Sequence, residues 1–214
     1  MLMPAQSVAV VIPAYNEDQT IAGVLVPTIG HPLVDEVIVV SDGSEDMTAL
    51  TASRLGARVV ELSENVGKGA AMLAGIAETE ADVVLFLDAD LIGLRPEHIE
   101  GLLLPVLHGN YDMVVGVFEG GRAATDFAQA IAPFLSGQRA VRRSVLLALG
   151  EMDELGYGAE IALTRFMKRH RNRVAEVVLR DLTHVMKEEK RGFIKGFAAR
   201  MKMYWDIVKV LPKD

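Results

Sequence analysis

Two carboxylates, Asp88 and Asp90, follow the apolar run Val83–Leu87. A buried strand that stops on two acids one residue apart places charge where burial disfavours it. A hard divalent cation resolves that conflict through oxygen ligands. Mg2+ or Mn2+ is held by one or two carboxylates together with substrate phosphates. The pair therefore points to a metal and a phosphate-bearing ligand, with ordinary turn chemistry as the competing reading.

Three other groups stand at similar places. Pro13-Ala14-Tyr15-Asn16-Glu17 ends the run Val8–Ile12. Tyr15 there can stack on a base, and Glu17 can accept from ribose hydroxyls. Equally, Asn16 can cap a helix, with Glu17 at its positive end. Ser41-Asp42-Gly43-Ser44 ends Glu36–Val40; Asp42 can accept a base N–H, or the segment is a turn and cap. Asn65-Val66-Gly67-Lys68-Gly69-Ala70 opens a helical stretch. Backbone N–H groups at a helix N-terminus suit an anion, and Lys68 adds a cation. The string is not a Walker A loop, because Leu62 stands where its first glycine belongs and Gly69 follows Lys68. No G-x-G-x-x-G follows a strand, so a dinucleotide-binding Rossmann unit is excluded.

The elements that must position these groups alternate. Strands are expected near 8–12, 36–40, 58–62, 83–87 and 112–117, with helices near 17–26, 46–55, 69–79 and 96–108. Strands separated by helices predict an α/β fold with a mainly parallel sheet flanked by helices. Such sheets bind ligands at the carboxyl ends of their strands, where the groups above lie. Beyond 120 the pattern gives a helix over 122–135, an extended piece over 137–142 and helices near 144–149 and 158–170. A strand near 174–180 and a long helix over about 187–210 complete it.

Composition narrows the classes. The 214 residues are half apolar, enough for a real core. There is no cysteine, which removes disulfides, thiolate metal sites and cysteine nucleophiles and suits a cytoplasmic setting. A net charge of −7 argues against general nucleic-acid binding. Residues 181–214 carry eight Lys/Arg against five Asp/Glu, a net +3, so the body holds −10. The start of the chain predicts no secretory leader, and no apolar run approaches the ~20 residues of a membrane span.

Taken as an ordered set, VIPAYNE (11–17), VSDGSEDMT (40–48), NVGKGAAMLAGI (65–76) and FLDADL (86–91) resemble the family-2 glycosyltransferases of GT-A fold. The likeness is closest over residues 7–120. It continues in SGQRAVRR (136–143) and GYGAEI (156–161). Within the family, the dolichyl-phosphate mannose synthase and glucosyl-3-phosphoglycerate synthase groups are the most similar, and GYGAEI favours the latter. The resemblance implies a UDP- or GDP-sugar donor and Mg2+ or Mn2+. By position, Pro13, Ala14, Tyr15 and Glu17 would line the nucleoside pocket, and Ser41 or Asp42 would meet the base. Gly67 and Lys68 would meet the nucleotide. Asp88 and Ala89 would lie near the ribose, and Asp90 would ligate the metal, with His184 completing its shell. Glu160 would act as base toward the acceptor or orient the sugar. Arg122, Gly137, Gln138 and Arg139 would bind an acceptor bearing phosphate or carboxylate, because arginine forks match such anions.

The expected organisation is a GT-A-like domain over 1–186, with a donor half to 120 and an acceptor half from 121, and a tail over 187–214. In that tail Phe193, Phe197, Met201, Tyr204, Trp205 and Val208 recur at helical spacing among basic residues. Such a helix packs on the body or a second subunit, or lies on an anionic membrane surface. Two other functions compete with transfer to a small acceptor. One is a polyprenyl-phosphate glycosyltransferase, disfavoured by the short stretch from Gly121 to Ser136. The other is a non-catalytic sugar-nucleotide binder. A nucleotidyltransferase would need a G-x-G-T-R-like string where Pro13-Ala14-Tyr15 stands.

Overall fold

The computed structural model describes residues 6–119, 136–150 and 159–184. The chain divides after Thr183, and the architecture below concerns the part before that point. The expected helices at 122–135 and 187–210 fall outside the described residues, as do Arg122 and residues 156–158.

A seven-stranded sheet runs through the middle in the order β3-β2-β1-β4-β7-β6-β8. Its strands are β1 (Val8–Ala14), β2 (Glu36–Asp42), β3 (Arg58–Leu62), β4 (Val83–Phe86), β6 (Met113–Phe118), β7 (Arg139–Arg142) and β8 (Val174–Leu179). All neighbours pair in parallel except β7, which runs antiparallel to both β4 and β6. A separate two-stranded ribbon joins β5 (Leu91–Ile92) to β9 (Thr183–His184).

The continuous apolar character of β1 follows from burial on both faces. Val10 and Ile12 join a cluster with Ile21, Leu25, Ile99 and Leu102, contributed by α1 (Ile21–Thr28) and α4 (Pro96–Leu107). Val11 points the other way and joins Ala71, Met72 and Ile76 of α3 (Lys68–Ala77), together with Phe86. Each fully buried Val, Ile or Leu contributes about 1.5–3 kcal/mol.

One expectation is corrected and one is sharpened. Asn16 does not cap α1: the helix begins at Ile21, and Asn16 sits at φ 54° in the left-handed region. Asparagine tolerates that conformation, and here its side chain bonds a neighbouring loop. The extended piece at 137–142 proves to be a central strand. It enters between β4 and β6 against the general direction, so Gly137 and Gln138 reach the carboxyl end of β4. Arg142 and the start of α5 (Arg143–Leu149) are carried to the opposite end, where Arg142 meets Asp112 and Arg143 meets Glu80.

Candidate active site

The ends of β1 and β2 are laced together. The Asn16 N–H donates to Ser44 Oγ at 3.1 Å, and the Glu45 N–H donates to Asn16 Oδ1 at 2.9 Å. The Glu17 N–H donates to Thr48 Oγ1 at 2.8 Å, at the head of α2 (Thr48–Leu55). Pro13 and Ala14 are thus held at the strand end, and Tyr15 is left 42% exposed beside them. The Glu17 carboxylate accepts from Thr20 Oγ1 at 2.9 Å.

Ser41 and Asp42 are buried. The Asp42 carboxylate accepts the Val66 N–H at 2.8 Å and the Gly67 N–H at 3.0 Å. The sequence offered Asp42 as a base contact or as part of a turn, and the loop amides as an anion site; in the structure the carboxylate accepts from two of those amides. Gly43 makes the contact feasible. It has φ +65°, and a Cβ there would overlap the backbone of Glu64 and Asn65.

This clamp sets the start of α3. Lys68 is its first residue, and its Nζ lies 2.6 Å from Asp88 Oδ1. Both side chains are between a quarter and a third exposed, so the pair is partly solvated. Asp88 stands two residues beyond β4, whose Phe86 pairs with Val11 of β1 and Arg139 of β7. Its second oxygen, Oδ2, accepts from Gln138 Nε2 at 2.8 Å. Ala89 is buried, and Asp90 is half-buried immediately before β5.

Gln138 and Gly137 therefore lie on the Asp88 side of the site, a relationship that sequence spacing did not disclose. Arg139 is 1% exposed. Its Nε donates to the Ser136 carbonyl and its Nη1 to Thr164 Oγ1, each at 2.7 Å. It ties β7 to α6 (Ala159–Arg169). Glu160 lies in the first turn of α6. His184 ends β9 and is exposed.

Among the described residues, no three His, Asp or Glu side chains gather into a preformed ligand set. The donor chemistry nevertheless fits a hard cation. Asp90 and Asp88 offer carboxylate oxygens at one strand end, beside a lysine suited to phosphate. Mg2+ and Mn2+ sites of this kind take their remaining oxygens from the substrate.

The chain belongs to glycosyl transferase family 2, whose family model matches residues 9–158. It is 34% identical over 195 residues to glucosyl-3-phosphoglycerate synthase of Mycobacterium tuberculosis. That match covers 74% of this chain and 60% of the relative, so the chain spans less than two thirds of that relative's length. It is also 30% identical over 232 residues to undecaprenyl-phosphate 4-deoxy-4-formamido-L-arabinose transferase of Edwardsiella ictaluri, covering 96% of this chain and 68% of the relative. The fold superposes with a TM-score of 0.70 and 33% identity on a crystal structure of the Mycobacterium tuberculosis synthase. The superposition covers 84% of this chain and 71% of that one. That crystal contains Mn2+, UDP-glucose and phosphoglyceric acid. The GT-A class expected from the ordered motifs is thereby established. Among the described residues no helix is long and apolar enough to cross a membrane.

Proposed function

We propose that this chain is a metal-dependent glycosyltransferase that moves a sugar from a nucleoside-diphosphate sugar to a small acceptor bearing phosphate or carboxylate. The observation that carries the reading is the Lys68–Asp88 pair at the carboxyl end of β4, with Asp90 two residues further along. One cation and two carboxylates there match the needs of a diphosphate held with a divalent cation. UDP-glucose is the favoured donor and a phosphoglycerate-like acid the favoured acceptor, because the synthase of similar fold was crystallised with both.

When bound, Mg2+ or Mn2+ would supply positive charge to the leaving diphosphate. Asp90 would hold it directly, with Asp88 beside it; His184 is a further candidate ligand on family resemblance alone. Lys68 would exchange its contact with Asp88 for a donor phosphate. Tyr15 would cover the base, and Glu17 would accept from the nucleoside. Glu160 would take the acceptor's hydroxyl proton or orient the sugar, and Arg122 would meet the acceptor's anionic group.

A second reading has its own support. The likeness to the undecaprenyl-phosphate transferase runs over nearly the whole chain, which keeps a polyprenyl-phosphate acceptor in view. The test is a matrix of UDP- and GDP-sugars against 3-phosphoglycerate and undecaprenyl phosphate, with Mn2+, Mg2+ or EDTA. Metal-dependent product from UDP-glucose and 3-phosphoglycerate is expected. Product with the lipid acceptor alone would move the assignment to the second reading. Donor binding without transfer in any arm would leave a sugar-nucleotide binder.

A further inference from the structure

We infer that Gln138 is a positioning residue for Asp88 on the donor side of the site, and that the segment 136–138 is built to aim that carboxylate. The inference deepens the function proposed above and rests on it. Gln138 is fully buried, yet its amide Nε2 donates to Asp88 Oδ2 at 2.8 Å. A buried amide whose donor faces a partly exposed carboxylate orients that group more than it stabilises the core.

Gln138 is itself held from behind. The Ser136 hydroxyl donates to the Gly116 carbonyl of β6 and accepts the Gln138 backbone N–H at 3.2 Å. Ser136 Oγ also lies 3.1 Å from Gln138 Oε1, so its single proton serves either that oxygen or the Gly116 carbonyl; the acceptor-only Asp88 carboxylate is what turns the amide's Nε2 toward it. The approach is possible because residue 137 is glycine: a Cβ there would overlap the Asp88 carboxylate. The β4–β7 register, Phe86 opposite Arg139, brings Gly137 across from Asp88 when extended by two residues.

The two oxygens of Asp88 are thus addressed by different kinds of donor. Lys68 is charged and on a flexible stem, able to turn toward a donor phosphate. Gln138 is neutral, buried and fixed. When Lys68 leaves, Gln138 keeps Asp88 in the plane it held before, so the site need not reorganise as donor binds. This reading moves Gln138 and Gly137 from the acceptor to the donor side.

The test is Gln138→Met, which keeps length and removes the donor. UDP is titrated in the presence of Mn2+, and turnover is followed with UDP-glucose and 3-phosphoglycerate. UDP affinity and kcat/KM for donor should fall about tenfold, the scale of one hydrogen bond to a charged group, while acceptor KM stays within twofold. Crystals of the ligand-free variant should show the Asp88 carboxylate rotated from its wild-type plane. Should that variant not fold, Gly137→Ala probes the same contact from the backbone side, with the same donor-specific loss expected. A loss confined to acceptor KM, or an unmoved Asp88 with unchanged UDP affinity, overturns the inference. Wild-type protein that binds UDP and Mn2+ but transfers no sugar refutes the proposed activity while the affinity comparison still decides this point. If wild type binds neither, the crystallographic comparison decides it alone.

Discussion

Lys68 Nζ lies 2.6 Å from Asp88 Oδ1, joining the first residue of α3 to the acidic end of β4 across twenty positions of sequence. Because the pair is partly solvated, its contribution to folding is small, about 0.5–1 kcal/mol. Its larger consequence is electrostatic readiness. A donor diphosphate arriving at Asp88 and Asp90 meets a cation already in place, and Lys68 need only rotate toward it. Lys68→Met should therefore change the urea midpoint little. It should weaken UDP-sugar binding about tenfold without abolishing metal dependence. Paired denaturation and calorimetric titrations check this. A stability loss as large as the binding loss would make Lys68 a structural residue.

Asp42 is the converse case, a buried carboxylate that accepts from two backbone amides. Asp42→Ala would leave the Val66 and Gly67 N–H groups without their acceptor at the entry to α3. The expected cost is about 2–4 kcal/mol, from two charge-assisted bonds that water can only partly replace. Chemical denaturation gives the magnitude. Amide exchange localises it: Val66 and Gly67 should lose protection first. Unchanged exchange at those two amides would refute the clamp.

The main architecture was legible because hydrophobic patterning and strand-end motifs agreed. Val10 and Ile12 against Val11 encode a strand buried on both faces, and the turn residues marked where it ends. The reversed direction of β7 was not legible. Arg139–Arg142 reads as a short extended piece whichever way it runs, and the connection that sets its direction lies in less periodic sequence. Asn16 misled for a related reason: asparagine suits both a helix cap and the left-handed region, and only the neighbouring loop chose between them. Charge alone marks Arg139 as a candidate anion-binding arginine, while its burial is not legible in the sequence. Two of its partners, Ser136 and Thr164, are separated in sequence by 28 residues and become neighbours only through packing.

At the end of the sheet away from the candidate site, Asp112 links β6 to the entry of β8. Its carboxylate accepts from the Arg173 backbone N–H at 2.9 Å and from Nη2 at 3.1 Å, with Arg142 nearby. Burial alone would raise its pKa, but the bonds and charge of Arg173, with that of Arg142, outweigh burial and hold it below the ordinary aspartate value. A carboxyl depressed in the folded state adds stability above its unfolded pKa. That stability is lost as pH falls through the folded value. Asp112→Asn should thus be less stable than wild type at pH 7, by about 1–2 kcal/mol. The gap should narrow below about pH 4. Urea midpoints at pH 7 and pH 3 provide the comparison. A gap that stays constant across that range would assign the loss to packing, not to charge.

The last prediction concerns Asp90, the residue proposed to hold the cation directly. Donor phosphates approaching Asp88 and Asp90 without a cation would meet like charge, so donor and metal binding should support each other. That coupling is reciprocal: donor should tighten Mn2+ binding by the same factor by which Mn2+ tightens donor binding. Asp90→Asn keeps the size and the backbone turn into β5 but removes the charge. It should cost about 2–4 kcal/mol in metal-dependent turnover or donor affinity, a loss of roughly 30- to 1,000-fold. Asp90 is half-buried and close to the sheet end, so folding stability should change far less than binding. The decisive measurement is calorimetric titration of UDP-glucose into wild type and Asp90→Asn, each with Mn2+ and with EDTA. Wild type with Mn2+ should bind most tightly. The variant should bind weakly in both conditions, because without the Asp90 charge the cation has no firm seat from which to attract the diphosphate. Equal affinity in all four titrations would remove Asp90 from the metal site and leave the Asp-Ala-Asp segment as a turn at the end of β4.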